Sequence, residues 1–311
     1  MTHGVDTVSI AFRPRPEWFD HALEQPHQPS GRGIVFDQRG PGDVRLGAHS
    51  GVCWVEGRLG ALLDNDHRSW SLRPARDVAV AERICREALS DLADDWLDCP
   101  GEVRRYDLAH EFEFEEPSEG FAFMRTLAGM CPPRRVLDTY CGADGQPQTV
   151  YVRQARSGIV TERCYDKGRE SSSHAPGLRI RYEAQRRPKK PERMTPRAFS
   201  RVDLSPDFGR SIRPYMEGGE TVIAAGTDAT IEHLAGAAAR GEISMAKAER
   251  MVGSVMFLKA YGRALYPDVQ QQQRRLRGLR EAGVALDREL PADRVVPVGQ
   301  LLRKSMEAFS A

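Results

Sequence analysis

The chain has 311 residues, of which 40% are hydrophobic, 29% charged and 7% aromatic, the make-up of an ordinary globular chain that is neither collagen-like nor broadly disordered. It is long enough for one sizeable core with an appendage, or for two modest domains. Lys and Arg total 45 against 44 for Asp and Glu, so the field of the whole chain is nearly neutral and a strongly charged partner has to be met by a local patch. The six cysteines form no CxxC pair, which argues against a zinc ribbon, a finger or a thioredoxin-like centre and makes a reduced, bacterial cytoplasm the expected home. The opening MTHGVDTVSIAFRPRPEW lacks the apolar core of a signal peptide, and the apolar run 251–258 is too short to cross a bilayer, so no membrane partner is expected. No GxxxxGK[ST] phosphate loop occurs, and Gly31-Arg-Gly33 does not continue to a third glycine in register, so a nucleotide-driven motor is not expected.

The first half reads mostly as strands. Short β-rich runs at 8–12, 33–36 and 51–56 are separated by Pro, Gly and Asp clusters. Between about 75 and 98, Val78, Ala81, Ile84, Cys85, Ala88, Leu89 and Leu92 recur at helical spacing and predict an amphipathic helix over a sheet. A second strand set follows at 102–114, 148–153, 159–165 and 178–185. The segment 186–201 (RRPKKPERMTPRAFSR) has three prolines and seven basic residues against one acid, which reads as a solvated linker or basic arm. Three helices are expected after it, at 227–239, 245–265 and 268–282. The spacing thus predicts an α+β domain over 1–205, an antiparallel sheet with helices on one face, and a helical module over 206–311.

Chemistry concentrates in the second strand set. In 103–114 (VRRYDLAHEFEF) alternation puts Asp107, Ala109, Glu111 and Glu113 on one face and Tyr106, Leu108, His110, Phe112 and Phe114 on the other. Carboxylates gathered on one face repel one another unless a hard cation such as Mg²⁺ or Mn²⁺ lies between them, although a solvated acidic edge fits the pattern equally. In 159–170 (IVTERCYDKGRE), Thr161, Arg163, Tyr165 and Lys167 share a face if the strand runs that far, placing a phenol between two cations. A phenol with its ordinary pKa near 10 is a poor nucleophile until cations stabilise the phenolate; a hydrogen-bonded core tyrosine is the alternative. In 178–185 (LRIRYEAQ), Glu183 emerges on the polar side of a further strand.

Three of these motifs stand in the order seen in a known family. Arg105-Tyr106-Asp107-Leu108-Ala109-His110-Glu111 resembles an RxDLAxD strand with Glu in place of the last Asp. Arg163-Cys164-Tyr165-Asp166-Lys167-Gly168-Arg169-Glu170 resembles an RxYDKxxE block, and Arg179-Ile180-Arg181-Tyr182-Glu183 the strand after it. Over roughly residues 6–187 the chain resembles the rolling-circle replication initiators of the plasmid Rep-trans type, with filamentous-phage initiators as more distant relatives. The resemblance implies a degenerate member of the metal-dependent nicking fold in which Tyr165 attacks an origin phosphate, keeps the 5′-phosphoryl end and frees a 3′-hydroxyl primer. It implies Lys167 and Arg163 as phosphate-neutralising groups and Asp107, Glu111 and Glu183 as ligands of Mg²⁺ or Mn²⁺. Glu170 would orient Lys167 or Arg163, or activate water. Two departures stand out: Arg153 occupies the glycine position of the TxYxG element, and the His-hydrophobic-His metal motif is absent, His110 reading as a packed core residue.

Outside this centre, 179–201 carries nine basic residues against two acids, a candidate phosphate track through Arg179, Arg181, Arg186, Arg187, Lys189 and Lys190. Arg274, Arg275 and Arg277 in QQQQRRLRGLR could read base edges from a recognition helix with Leu276, Leu279 and Val284 as its core side, or could serve a subunit contact or a plain exposed helix. The expected partners are origin DNA, duplex and single-stranded, host helicase and polymerase, and a second copy of the chain. A conjugative relaxase and a catalytically silent DNA-binding regulator of the same fold are the alternatives.

Overall fold

The computed structural model describes residues 3–31, 33–93, 101–129, 135–171, 175–216, 222–223, 227–261, 274–275, 278–279, 281–282, 284–285, 301–302 and 304–307. The architecture is α+β, with ten strands in one antiparallel sheet: β1 (His3–Phe12), β2 (His27–Ser30), β3 (Gly33–Gly40), β4 (Val44–His49), β5 (Val52–Arg58), β6 (Glu102–Glu113), β7 (Arg135–Cys141), β8 (Pro147–Gln154), β9 (Val160–Asp166) and β10 (Arg179–Arg186). By internal contacts the chain divides into two compact units, 1–111 with 182–208 and 307–311, and 112–181 with 209–306. One boundary, 208/209, falls near residue 205, and the chain also passes between the units within β6 and within β10.

In the first unit the strands follow the order β2-β3-β4-β5-β1-β6. The register sets Ile10 against Val55 and Phe12 against Cys53, and Leu46 and Ala48 of β4 against Val55 and Cys53. Opposed residues share a face, so these form one apolar surface, and all are buried. Three helices belong to this core: α1 (Pro16–Leu23), α2 (Leu59–Asp64) and α3 (Val78–Ser90). The i, i+3, i+7 rhythm of Val78, Ala81, Cys85, Ala88 and Leu89 buries one stripe of α3. Burying such side chains contributes about 1.5–3 kcal/mol for each large one. Trp18 of α1 fixes the helices to one another, its indole N–H donating to the Leu89 carbonyl at 3.3 Å. The expected helix is shorter than its pattern, since Ile84 is half-buried and α3 ends at Ser90. β2 and β4 escape the sequence pattern because HQPS is exposed throughout and Gly47 interrupts VRLGAH. Gly47 is required there: a Cβ would meet the Trp54 ring at 2.2 Å.

The basic arm is corrected by the structure. Its lysines and Arg187, Arg197 and Arg201 are exposed, as a solvated linker requires, but Val103 donates its amide to the Met194 carbonyl at 2.9 Å, and the short helix α6 (Pro196–Phe199) buries Pro196 and Phe199. The Phe199 ring lies 4.8 Å from that of Tyr106. Pro191 and Pro196 open short helical turns here, so the prolines organise the segment instead of loosening it.

In the second unit β9, β8 and β7 are consecutive, and α4 (Pro117–Gly129) packs against β7 and β8. Val150, Val152 and Cys164 are fully buried, as are Phe123, Met124 and Leu127 of α4. Helix α7 (Ser205–Met216) is followed by α8 (Thr227–Ala239) and α9 (Met245–Tyr261), the first two of the three helices expected at the C-terminal end. Leu234, Ala248, Met251, Val255, Leu279 and Val284 form a buried cluster, so Leu279 and Val284 take the core positions assigned to them; Leu276 lies outside the described residues. β11 (Val222–Ile223) and β12 (Val284–Ala285) form a short parallel pair. Among the described residues no helix is long and apolar enough to cross a membrane.

Phe199→Ala should lower stability by about 3–5 kcal/mol through the cavity under Tyr106, whereas Arg187→Ala, a few residues away and exposed, should stay within about 0.5 kcal/mol. Urea midpoints at constant m-value measure both; equal effects would show that the arm is not anchored by its aromatic residue.

Candidate active site

Tyr165 lies on β9 in the second unit, near the end of the strand. The expected strand face stops one residue short of Lys167, which instead opens the helix α5 (Lys167–Ser171). The cause is Asp166. Its buried carboxylate accepts the Arg169 amide at 3.2 Å, satisfying a helix N-terminal donor, the Arg169 Nε at 3.1 Å and the Gly177 amide at 2.9 Å. The strand therefore turns into a helix at Asp166, and the turn swings Lys167 back over the tyrosine. Lys167 Nζ is 5.6 Å from the Tyr165 ring centroid, and the Arg163 guanidinium 5.4 Å. Both cations thus lie close to the tyrosine ring, Arg163 from β9 and Lys167 from a helix instead of from the same strand face. Tyr165 is only 6% exposed. Glu170 pairs with Lys167, Oε2 to Nζ at 2.9 Å, and so positions the ammonium.

The three acids expected to bind metal belong to the first unit. Asp107 is 2% exposed and Glu111 and Glu183 are also buried, so none is a solvated edge acid. β6 is paired with β1 along its length, Asp107 opposite Thr7. The Asp107 carboxylate is taken by Arg105, two residues earlier on the same strand face: Nε to Oδ1 at 3.0 Å and Nη2 to Oδ2 at 2.6 Å, a two-pronged charge-assisted pair. Arg105 Nη1 also reaches Glu56 Oε1 at 2.8 Å. Neither Glu111 nor Glu183 is without a partner. Among the described residues no three His, Cys, Asp or Glu are grouped to hold an ion. A divalent ion does not fit this donor set as placed, because both Asp107 oxygens already face a guanidinium.

The basic residues separate into several environments. Arg181 is 1% exposed and among the largest fully buried side chains, so it is a core group and not a point on a phosphate track. Arg179 pairs with Glu113 at 2.7 Å, and Arg186 donates to the Asp207 carbonyl. Arg187, Lys189 and Lys190 remain at the surface. Arg274 and Arg275 are exposed, Arg275 donating to Ser254 Oγ at 3.2 Å; Arg277 lies outside the described residues.

Two features escaped the sequence reading. His110 does have a histidine partner, across the sheet instead of along the strand: His3 stands opposite it, the rings stacked with centroids 6.3 Å apart. The Arg105–Asp107 pair was legible in principle, since i and i+2 of a strand share a face. No family model matches the chain, and no curated protein matches it.

Arg105→Leu should cost about 3–5 kcal/mol by removing the guanidinium from a buried carboxylate, measured by denaturant unfolding; a loss under about 1 kcal/mol would mean that other groups around Asp107 carry its charge. Burial, and secondarily His3, pushes the His110 pKa down to about 4. The unfolded imidazole, with a pKa near 6.5, binds more protons than the folded one between those values, so this contribution is complete above about 6.5 and is lost as pH falls toward 4. Its upper bound is about 3 kcal/mol at roughly 1.4 kcal/mol per unit. The drop in urea stability between pH 7 and pH 4.5 should therefore shrink in His110→Leu, and an unchanged drop would assign the acid sensitivity to other groups.

Proposed function

We propose that this chain is a replication initiator that nicks one strand at a plasmid or phage origin and later rejoins it, with Tyr165 as nucleophile. The observation that carries the reading is the approach of Arg163 and Lys167 to the Tyr165 ring, the lysine being paired with Glu170. Two cations at that distance would offset the charge of a phosphate brought to the phenol. In the step, Tyr165 Oη forms a bond to phosphorus, the bond from phosphorus to the 3′ oxygen breaks, the phenolic proton leaves to water and the 3′ oxygen takes one up. One phosphodiester replaces another, so the reaction requires no nucleoside triphosphate, in keeping with a sequence that has no phosphate loop. Arg187, Lys189, Lys190, Arg274 and Arg275 would hold flanking DNA, and host helicase, polymerase and a second copy of the chain are the partners this role requires. A Mg²⁺ or Mn²⁺ requirement belongs to the resemblance alone, and no step is routed through an ion because the acids of β6 do not fit one.

A second reading, a silent DNA-binding regulator of this fold, is favoured by one specific observation: Asp107 is neutralised by Arg105. Incubating the protein with a supercoiled plasmid that carries the DNA flanking its own gene separates the two. The nicking reading expects an open circle and a covalent protein–DNA adduct, reduced at least about a thousand-fold in Tyr165→Phe and by about a hundred-fold in Lys167→Met. Binding without an adduct favours the regulator, and an adduct that survives Tyr165→Phe moves the attack to another tyrosine. Parallel incubations with Mn²⁺ and with EDTA report whether the two cations suffice.

A further inference from the structure

The face of the second unit's sheet that carries Tyr165 bears more than the proposed nucleophile. The register aligns Tyr140, Thr149 and Tyr165 in one row across β7, β8 and β9, and Asp138, Tyr151 and Arg163 in the next. Opposed residues share a face, so both rows lie on the same side, opposite the buried Val150, Val152 and Cys164. Tyr140 is 52% exposed and Val136 is exposed beside it. The rings of Tyr140 and Tyr151 meet edge to face, 5.5 Å between centroids at 87°. Arg153 lies 5.7 Å from the Tyr151 ring and pairs with Asp138 at 2.6 Å, both side chains substantially exposed.

The residue types of this surface say what could occupy it. Phenol rings accept nucleobases by stacking, whatever the base, and guanidinium groups beside them accept the phosphates between. Arg153 pairs with Asp138 at a partly exposed position and can exchange that carboxylate for a phosphate. Bases in a duplex are stacked on one another and out of reach of a flat sheet, whereas two rings at right angles suit bases that have left the stack. We propose that the open face of β7, β8 and β9 binds single-stranded DNA by stacking unpaired bases on Tyr140 and Tyr151, with Arg153 and Arg163 on the backbone. This deepens the nicking reading and rests on it for the identity of the strand. Two strand spacings separate Tyr140 from Tyr165, about 10 Å at the backbone, so the stacked bases would adjoin the phosphate under attack.

The test uses the full chain, a fluorescein-labelled oligo(dT) of twenty nucleotides and a duplex of equal length. Replacing both tyrosines, Tyr140→Ala with Tyr151→Ala, should weaken oligo(dT) binding at least about ten-fold and leave duplex binding unchanged. The ring-preserving pair Tyr140→Phe with Tyr151→Phe should stay within about three-fold of wild type, which a folding defect in the alanine variant would not mimic. Wild-type affinity in the alanine variant overturns the platform, as does equal loss in both pairs or equal loss for duplex. Dissociation of a dimer by the alanine pair, seen by analytical ultracentrifugation, also overturns it and makes the face a contact between copies. The two readings fail separately: an alanine variant that binds oligo(dT) normally while Tyr165→Phe abolishes the adduct removes only the platform. A wild-type protein that binds through the two rings yet makes no adduct removes only the nicking chemistry.

Discussion

The period-two alternation of the antiparallel strands β8 and β9 is the constraint on which the candidate site depends. In β8 it sends Val150 and Val152 inward and Tyr151 and Arg153 outward; in β9 it sends Cys164 inward and Arg163 outward. A slip of one residue would exchange the two sets and bury a phenol and two guanidinium groups in hydrocarbon, an arrangement penalised by several kcal/mol. The same apolar residues that hold the sheet together therefore fix where the chemically useful residues stand. No separate device is needed to gather tyrosines and arginines on the opposite side.

Tyr165 departs from the pattern in a useful way. It shares a row with the exposed Tyr140 but is nearly enclosed, because the chain turns at Asp166 and brings Lys167 back over the ring. That turn depends on one carboxylate with three donors around it, two of them backbone amides. The Asp between Tyr and Lys is thus a geometric necessity: without an acceptor at the end of β9, α5 would start elsewhere and its lysine would point along the strand. Sequence neighbours act together here through a change of secondary structure, not through continued strand alternation.

Much of this was legible in the residues. Strands whose residue types alternate, such as 103–114 and 148–153, and helices with apolar spacing, such as α3, announce themselves by composition, although β6 buries both faces around Asp107. β7 does not: in RVLDTYC the half-buried and exposed positions mix, since an outer strand packs weakly and burial does not dictate its composition. The basic arm misleads for the opposite reason, its charge hiding two anchor residues, Pro196 and Phe199. Pairings between strands are the least legible of all. Nothing local in the sequence sets His3 against His110, and Tyr140, Thr149 and Tyr165 become a row only once the register of two hairpins is known.

The acids of β6 show where residue type alone stops short of chemistry. A buried carboxylate needs a compensating charge, and a divalent ion and a guanidinium are competing solutions to one electrostatic problem. Arg105, planar and two residues away on the same face, meets both oxygens of Asp107 at hydrogen-bonding distance, and its third nitrogen turns to Glu56. An ion entering there would have to displace the arginine and leave a half-buried guanidinium with one acid fewer. Asp107 is thus engaged by an arginine at the point where an ion would need it. If strand transfer occurs on this scaffold as proposed, Lys167 and Arg163 are the cations nearest the tyrosine, and an ion at Asp107 would require a rearrangement that frees its oxygens.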